Sequence, residues 1–231
     1  YGNNLNNAIV GNSANNAING SSGNDKMIGM GGNDIYAVDA IGDVVTESST
    51  LATEIDKVNS SINYTLGTNV ENLTLNGTDA INGTGNGLKN LIIGNIANND
   101  LAGGAGNDTL TGGTGSDRFI YDTNAAFVTS AVGKDIISDF TTGTDKIVLD
   151  QTTFNVLQST AGNSFNVASD FAVVASDSLV GDSSGLIVYS SATDNLFYNQ
   201  NGNADGLGTG EQFATLQGIA TLNASDFIIQ V

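Results

Sequence analysis

Along two stretches of the chain, apolar residues recur every nine positions, each at the centre of a run of three, and Gly, Asn and Asp fill most of the six positions between runs. From residue 2 the first stretch reads GNNLNNAIV, GNSANNAIN, GSSGNDKMI and GMGGNDIYA, ending at Ala37, and VDAIGDVVT continues it weakly over 38–46. The second reads GNGLKNLII from Gly85, GNIANNDLA from Gly94, GGAGNDTLT from Gly103 and GGTGSDRFI from Gly112, ending at Ile120. Residues that tolerate positive φ, followed by three with an apolar centre, predict a turn and then a minimal strand. A three-residue strand buries one side chain and is not stable alone. Successive units must therefore alternate between two facing sheets, two units making one 18-residue coil, with coils stacked about 4.8 Å apart. The inward side chains are then Ile9, Ile18, Met27 and Tyr36, and later Ile92, Leu101, Leu110 and Phe119. This pattern predicts an all-β fold, a parallel β-solenoid.

The periodicity divides the chain into a first array over 1–46, a spacer over 47–84, a second array over 85–129 and a remainder over 130–231. In the spacer Val58, Ile62, Tyr64 and Leu66 keep one parity, while Leu73, Leu75 and Ile81 alternate with polar residues, which predicts strands that continue the solenoid with wider coils. Beyond about residue 130 Phe, Val and Ile become frequent. A β-rich cap is expected there, because the last coil would otherwise expose its apolar side chains and strand edges. Its strands are predicted at 145–149, 171–175, 185–190, 195–199, 212–217 and 226–230. Asn199, Asn201, Asn203 and Asp205 have the spacing of a calcium loop with amides in place of most carboxylates; a hairpin turn suits the Asn-Gly there better.

Composition narrows the chemistry. The 231 residues include no Cys, His or Pro, and 6 basic against 24 acidic side chains give a net charge of −18. Thiol and histidine catalysis and His- or Cys-ligated metals are excluded, and a nucleic acid partner is disfavoured. No apolar run is long enough to span a membrane, and the opening Tyr1-Gly2-Asn3-Asn4 lacks the basic and apolar regions of a cleavable leader. Cations are the favoured partners. Stacking places the turn 20–25 over 2–7, 29–34 over 11–16, 103–108 over 85–90 and 112–117 over 94–99. The sixth position of each turn forms a column: Asn7 with Asp25, Asn16 with Asp34, Asn90 with Asp108, Asn99 with Asp117. Carboxylate and carbonyl oxygens converging there suit Ca²⁺, which takes six to eight oxygen ligands, better than Mg²⁺ with its strict octahedron.

GGAGNDTLT and GGTGSDRFI match the GGxGxDxUx nonapeptide of the RTX (repeats-in-toxin, hemolysin-type) proteins, and the chain resembles that family. The resemblance implies a calcium-bound parallel β-roll. Several Ca²⁺ ions would lie between stacked turns, held by Asp25, Asp34, Asp108 and Asp117 and by backbone carbonyls, here those of Gly20, Ser22, Gly29, Gly31, Gly103, Ala105, Gly112 and Thr114. The first two units of each array depart from the pattern with Asn at position six, so a metal-free Asn ladder is the alternative there. Asp39 and Asp43 fall where the turn 20–25 meets its next partner, either completing a site with Asp25 or forming a solvated acidic turn, and Asp122 extends the second array. DIISDFTTGTDKI, residues 135–147, resembles the element that follows the roll in RTX proteases, and by position adds Asp135, Asp139 and Asp145 as ligands or as turn caps. The ending Ser225-Asp226-Phe227-Ile228-Ile229-Gln230-Val231 is similar to the uncleaved C-terminal signals of type I secretion substrates.

The resemblance implies a noncatalytic C-terminal region of a larger secreted bacterial protein, folding on Ca²⁺ outside the cell. Its partners would be calcium and the type I secretion machinery, with cell-surface polysaccharide or self-association in a surface layer, matrix or adhesin as further expectations; its location would be extracellular or at the cell surface. An accessory module of a secreted enzyme (serralysin-like protease, lipase or alginate epimerase) is the alternative. A polysaccharide-acting enzyme using Arg118 or Lys89 is a third reading.

Overall fold

A computed structural model describes residues 1–219 and 221–231. Strands alternate between two faces, as the nine-residue period requires. One face carries a three-stranded sheet of Ala8–Val10, Lys26–Ile28 and Val44–Thr46, then a six-stranded sheet of Tyr64–Thr65, Gly83–Thr84, Asp100–Ala102, Arg118–Tyr121, Lys146–Asp150 and Phe227–Gln230. The other face is an 11-stranded sheet. Its parallel run comprises Ala17–Asn19, Ile35–Val38, Lys57–Ser60, Asn72–Leu75, Leu91–Ile93, Thr109–Thr111, Asp135–Ile137 and Gln212–Leu216.

Register follows the 18-residue coil within the arrays: Ile9 pairs with Met27, Ile18 with Tyr36, Ile92 with Leu110 and Leu101 with Phe119. Each of these side chains is buried or packed on the core, and only Ile9 is partly exposed. The spacer stays in the stack, because Tyr36 pairs with Val58, Val58 with Leu73 and Leu73 with Ile92. Its coils are not uniformly wider: these pairs lie 22, 15 and 19 residues apart. Strand stacking also passes residue 130 without a break, since Leu110 pairs with Ile137, Phe119 with Ile147, and these in turn with Leu216 and Phe227. The buried side chains from Ile18 to Ile229 form one cluster.

The C-terminal strands lie within two residues of the expected bounds. Asn195–Tyr198 joins Gln212–Leu216 in antiparallel fashion, Ile187–Ser190 adds antiparallel to it, and Phe171–Val174 closes the sheet in parallel. Residues 199–211 therefore connect two antiparallel strands, as a hairpin would. Short 3-10 helices at Ala168–Asp170, Asp177–Asp182 and Ala224–Asp226 fill the intervals. Inside, Phe154 packs against Phe127, Tyr198 and Phe213, and Phe213 packs against Tyr121 of the coil below.

Candidate metal centre

The repeat turns fall into two kinds. In the units opening at Gly2, Gly11, Gly85 and Gly94 the position-six Asn closes its own turn. Its Oδ1 accepts the N–H of the position-two Asn, its Nδ2 reaches the position-two Oδ1, and that oxygen also accepts the position-four N–H. Such turns satisfy their polar atoms without an ion. In the units opening at Gly20, Gly29, Gly103 and Gly112 the backbone instead takes positive φ at positions two and four, as at Gly104 (90°) and Gly106 (119°). Glycine suits both positions, although Ser21 and Met30 occupy position two in the first array.

In these four turns the position-six Asp is buried and caps the coil before it. Oδ1 of Asp25, Asp34, Asp108 and Asp117 accepts the N–H of Asn7, Asn16, Asn90 and Asn99 at 2.6–2.8 Å. The second oxygen of Asp25, Asp34 and Asp108 has no hydrogen-bond partner. A buried anionic oxygen without a donor is costly and points to a cation. Space points the same way. A Cβ on Gly20, Gly103 or Gly112 would overlap the Oδ2 of Asp25, Asp108 or Asp117, and one on Gly2, Gly85 or Gly94 would overlap the carbonyl oxygen of Gly20, Gly103 or Gly112. Position-six carboxylates and position-one carbonyls thus crowd the same narrow cradle. The donor set is hard oxygen throughout, and it fits Ca²⁺. At position three of these turns, Ala105 donates its N–H to Asn86 O and the Thr114 hydroxyl donates to Ile96 O, contacts to the coil before that leave their own carbonyl oxygens uncommitted to either bond.

Of the remaining predicted acids, Asp43, Asp135 and Asp145 join the same columns, whereas Asp39 and Asp139 lie beside them and the Asp122 carboxylate caps the N–H of Asn124. Asp43 Oδ1 accepts the N–H of Asp25 while its Oδ2 accepts those of Asp39 and Ala40, and Asp39 is exposed. Asp135 Oδ1 accepts the N–H of Asp108. With Asp122, Tyr121 and Gly103 it lines a cavity of about 80 Å³. Asp139 grips the N–H groups of Gly112 and Gly113, and Asp145 those of Asp117 and Thr141, which is capping geometry for both. Arg118, which the third reading would have acting on a polysaccharide, pairs with Asp100 at 3.2 Å.

Two acids that the nonapeptide pattern did not single out belong to this column. Asp56 accepts the N–H of Asp34, and Glu71 accepts that of Asp56. The column along the large sheet thus runs Asn16, Asp34, Asp56, Glu71, Asn90, Asp108, Asp135, each residue immediately before a strand or at its first position. That placement was the available signal. Glu47 lies beside it, with Asp34 and Asp56.

Burial pushes the carboxyls of Asp108 and Asp117 up to about 6 and that of Asp135 to about 8. In an unfolded chain these groups titrate near 4. The calcium-free folded state therefore holds more protons than the unfolded one between these values, and its stability falls as pH rises. Without calcium, the β-sheet circular dichroism signal is expected to weaken as pH rises from about 5 to about 8; a signal that strengthens over that range would show the acids to be stabilised as anions without metal.

A family model described as the RTX calcium-binding nonapeptide repeat (4 copies) matches residues 1–36, and one described as Peptidase M10 serralysin C terminal matches residues 79–201. No curated protein matches the chain. Among solved structures, the solution structure of a subunit of the Azotobacter vinelandii mannuronan C5-epimerase is 18% identical, covering 99% of this chain and 80% of that one with a TM-score of 0.27, a superposition too loose to add to the fold read from strand pairing. Nonapeptide turns with buried acids, passing into the matched segment at 79–201, make the chain a member of the serralysin C-terminal family that carries calcium-binding RTX repeats at its start.

Proposed function

We propose that these residues are a noncatalytic, calcium-folded region of a larger secreted protein, exported unfolded by type I secretion machinery and folded outside the cell. The observation that carries this reading is the unpartnered second oxygen of Asp25, Asp34 and Asp108 in glycine-crowded turns. At cytosolic calcium those charges repel and the ordering of 30 glycines is uncompensated. At the roughly millimolar calcium outside cells, sites with dissociation constants of about 10⁻⁴–10⁻³ M fill, and binding energy becomes folding energy. In this reading 1–46 and 85–129 carry most ions, 47–84 spaces them and 130–231 closes the stack, with Asp39, Asp43, Asp122, Asp135, Asp139 and Asp145 as ligands or caps at the edges. No described helix is long and apolar enough to cross a membrane. The serralysin C-terminal match favours a compatible second reading, the accessory module of a secreted enzyme.

In the folded protein Phe227–Gln230 pairs with Lys146–Asp150, and the Asp226 carboxylate binds the N–H groups of Gly143 and Asn223. A signal in this segment is therefore accessible to an exporter only before folding. A passenger protein carrying this chain at its C-terminus, expressed with a type I exporter, is expected to reach the medium, and replacement of residues 226–231 by a Gly-Ser tail to abolish export. Equal export with either tail would sink the secretion reading.

A further inference from the structure

We propose that Glu47 and Asp56, two acids from outside the nonapeptide pattern, join the position-six Asp34 in a calcium site of a second type, at the seam where the first array passes into the spacer. This rests on the calcium reading only for the identity of the ion. The three acids come from separate segments: Asp34 is position six of the last full repeat, Glu47 follows the strand Val44–Thr46, and Asp56 precedes Lys57–Ser60. One carboxylate oxygen from each lies within 4.8 Å of the others. All three residues are buried, at 0%, 5% and 2% exposure. Asp34 Oδ2 and Glu47 Oε2 have no partner, while one oxygen of each acid is held in place: Asp34 Oδ1 by the Asn16 N–H, Asp56 Oδ1 by the Asp34 N–H and Glu47 Oε1 by the Tyr36 hydroxyl. A Cβ on Gly29 would overlap the Tyr36 hydroxyl oxygen, Asp34 Oδ2 and Glu47 Oε1 together, so three oxygens converge on one point.

Among the described residues no cationic side chain pairs with this charge. The salt bridges among the described residues are Arg118–Asp100 and Lys134–Glu211, and neither touches the cluster. Three buried carboxylates this close, without a counter-ion, combine mutual repulsion with desolvation. A divalent ion relieves both, and an all-oxygen set with no nitrogen or sulfur donor selects a hard cation. Each repeat turn offers one position-six carboxylate, whereas this cluster offers three. Its ion is accordingly held tighter, and the site fills before the repeats do. Asp56 also lines a cavity of about 100 Å³ together with two further acids, Glu54 and Glu71.

The chain has no Trp, and Tyr36 touches Glu47, so terbium bound here is lit through Tyr36. Terbium titration of the full chain, with emission excited in the tyrosine band, is expected to show its tightest phase at this site. Tyr36→Phe, which keeps all three carboxylates, removes the light of that phase while calcium stoichiometry by equilibrium dialysis is unchanged. Glu47→Gln weakens the phase by roughly tenfold or more and lowers the stoichiometry by one ion. Asp108→Asn/Asp117→Asn leaves the phase intact, so failure of the repeat sites and failure of this site are read separately. Early emission that survives Tyr36→Phe, or an unchanged ion count in Glu47→Gln, would overturn the proposal. If Glu47→Gln does not fold, the Tyr36→Phe arm still decides.

Discussion

Stripped of divalent cations at neutral pH, the protein is expected to lose most of its β structure, and to regain it cooperatively as calcium returns toward about 1 mM. The expectation follows from how little else holds a coil. Within the arrays each coil contributes one central inward side chain per face, such as Leu101 and Leu110, worth about 1.5–3 kcal/mol each when buried. Against this stands an ordering cost of about 1–2 kcal/mol for every backbone residue. The chain has no Cys to form a disulfide, its net charge is −18, and Asp25, Asp34 and Asp108 bury oxygens without donors. Far-UV circular dichroism after EDTA treatment, repeated with Mg²⁺, measures the effect. Magnesium is expected to fail, and Asp25→Ala/Asp108→Ala to raise the calcium midpoint. An unchanged β signal in EDTA would mean that packing and the Asn-closed turns hold the stack, and the calcium-folding account would fall with it.

Phe154→Ala is expected to cost about 3–5 kcal/mol at saturating calcium. The ring is fully buried, with centroids 5.7 Å from Phe127, 5.2 Å from Tyr198 and 5.2 Å from Phe213. Phe213 in turn meets Tyr121 edge-on at 5.1 Å. Phe154 thus stands where the antiparallel strands join the coil that ends the second array, and truncating it leaves a cavity that calcium cannot fill. Urea unfolding at fixed calcium measures the loss. A change under about 1 kcal/mol, the size of an ordinary surface substitution, would place the joint elsewhere.

The repeats were legible because one residue type per position decides the outcome. Gly where a carbonyl crowds the turn, an apolar residue at the strand centre and Asp before the strand are each set by a local constraint that recurs every nine residues. Glu47, Asp56 and Glu71 were not, because their coils are 22 and 15 residues long and carry no glycine signature. What they share with the repeat acids is position, just before or just after a strand, and that is visible only once the strands are fixed. The cap was readable as strands but not as a site. Asp170, for example, is buried and binds the N–H groups of Gln158 and Ser159, a long-range capping contact with no periodic trace.

The strict pairing of residues 18 apart within each array also limits how such a chain can change length. Inserting or deleting one whole coil adds or removes a single seam and returns every later residue to its own face. Gaining or losing one nonapeptide does not. It carries the Asp column of one sheet to the other and sets carboxylates such as Asp108 and Asp135 over partners from the wrong ladder. Growth and shrinkage of the roll should therefore proceed by paired repeats, so that its length is counted in coils rather than in motifs.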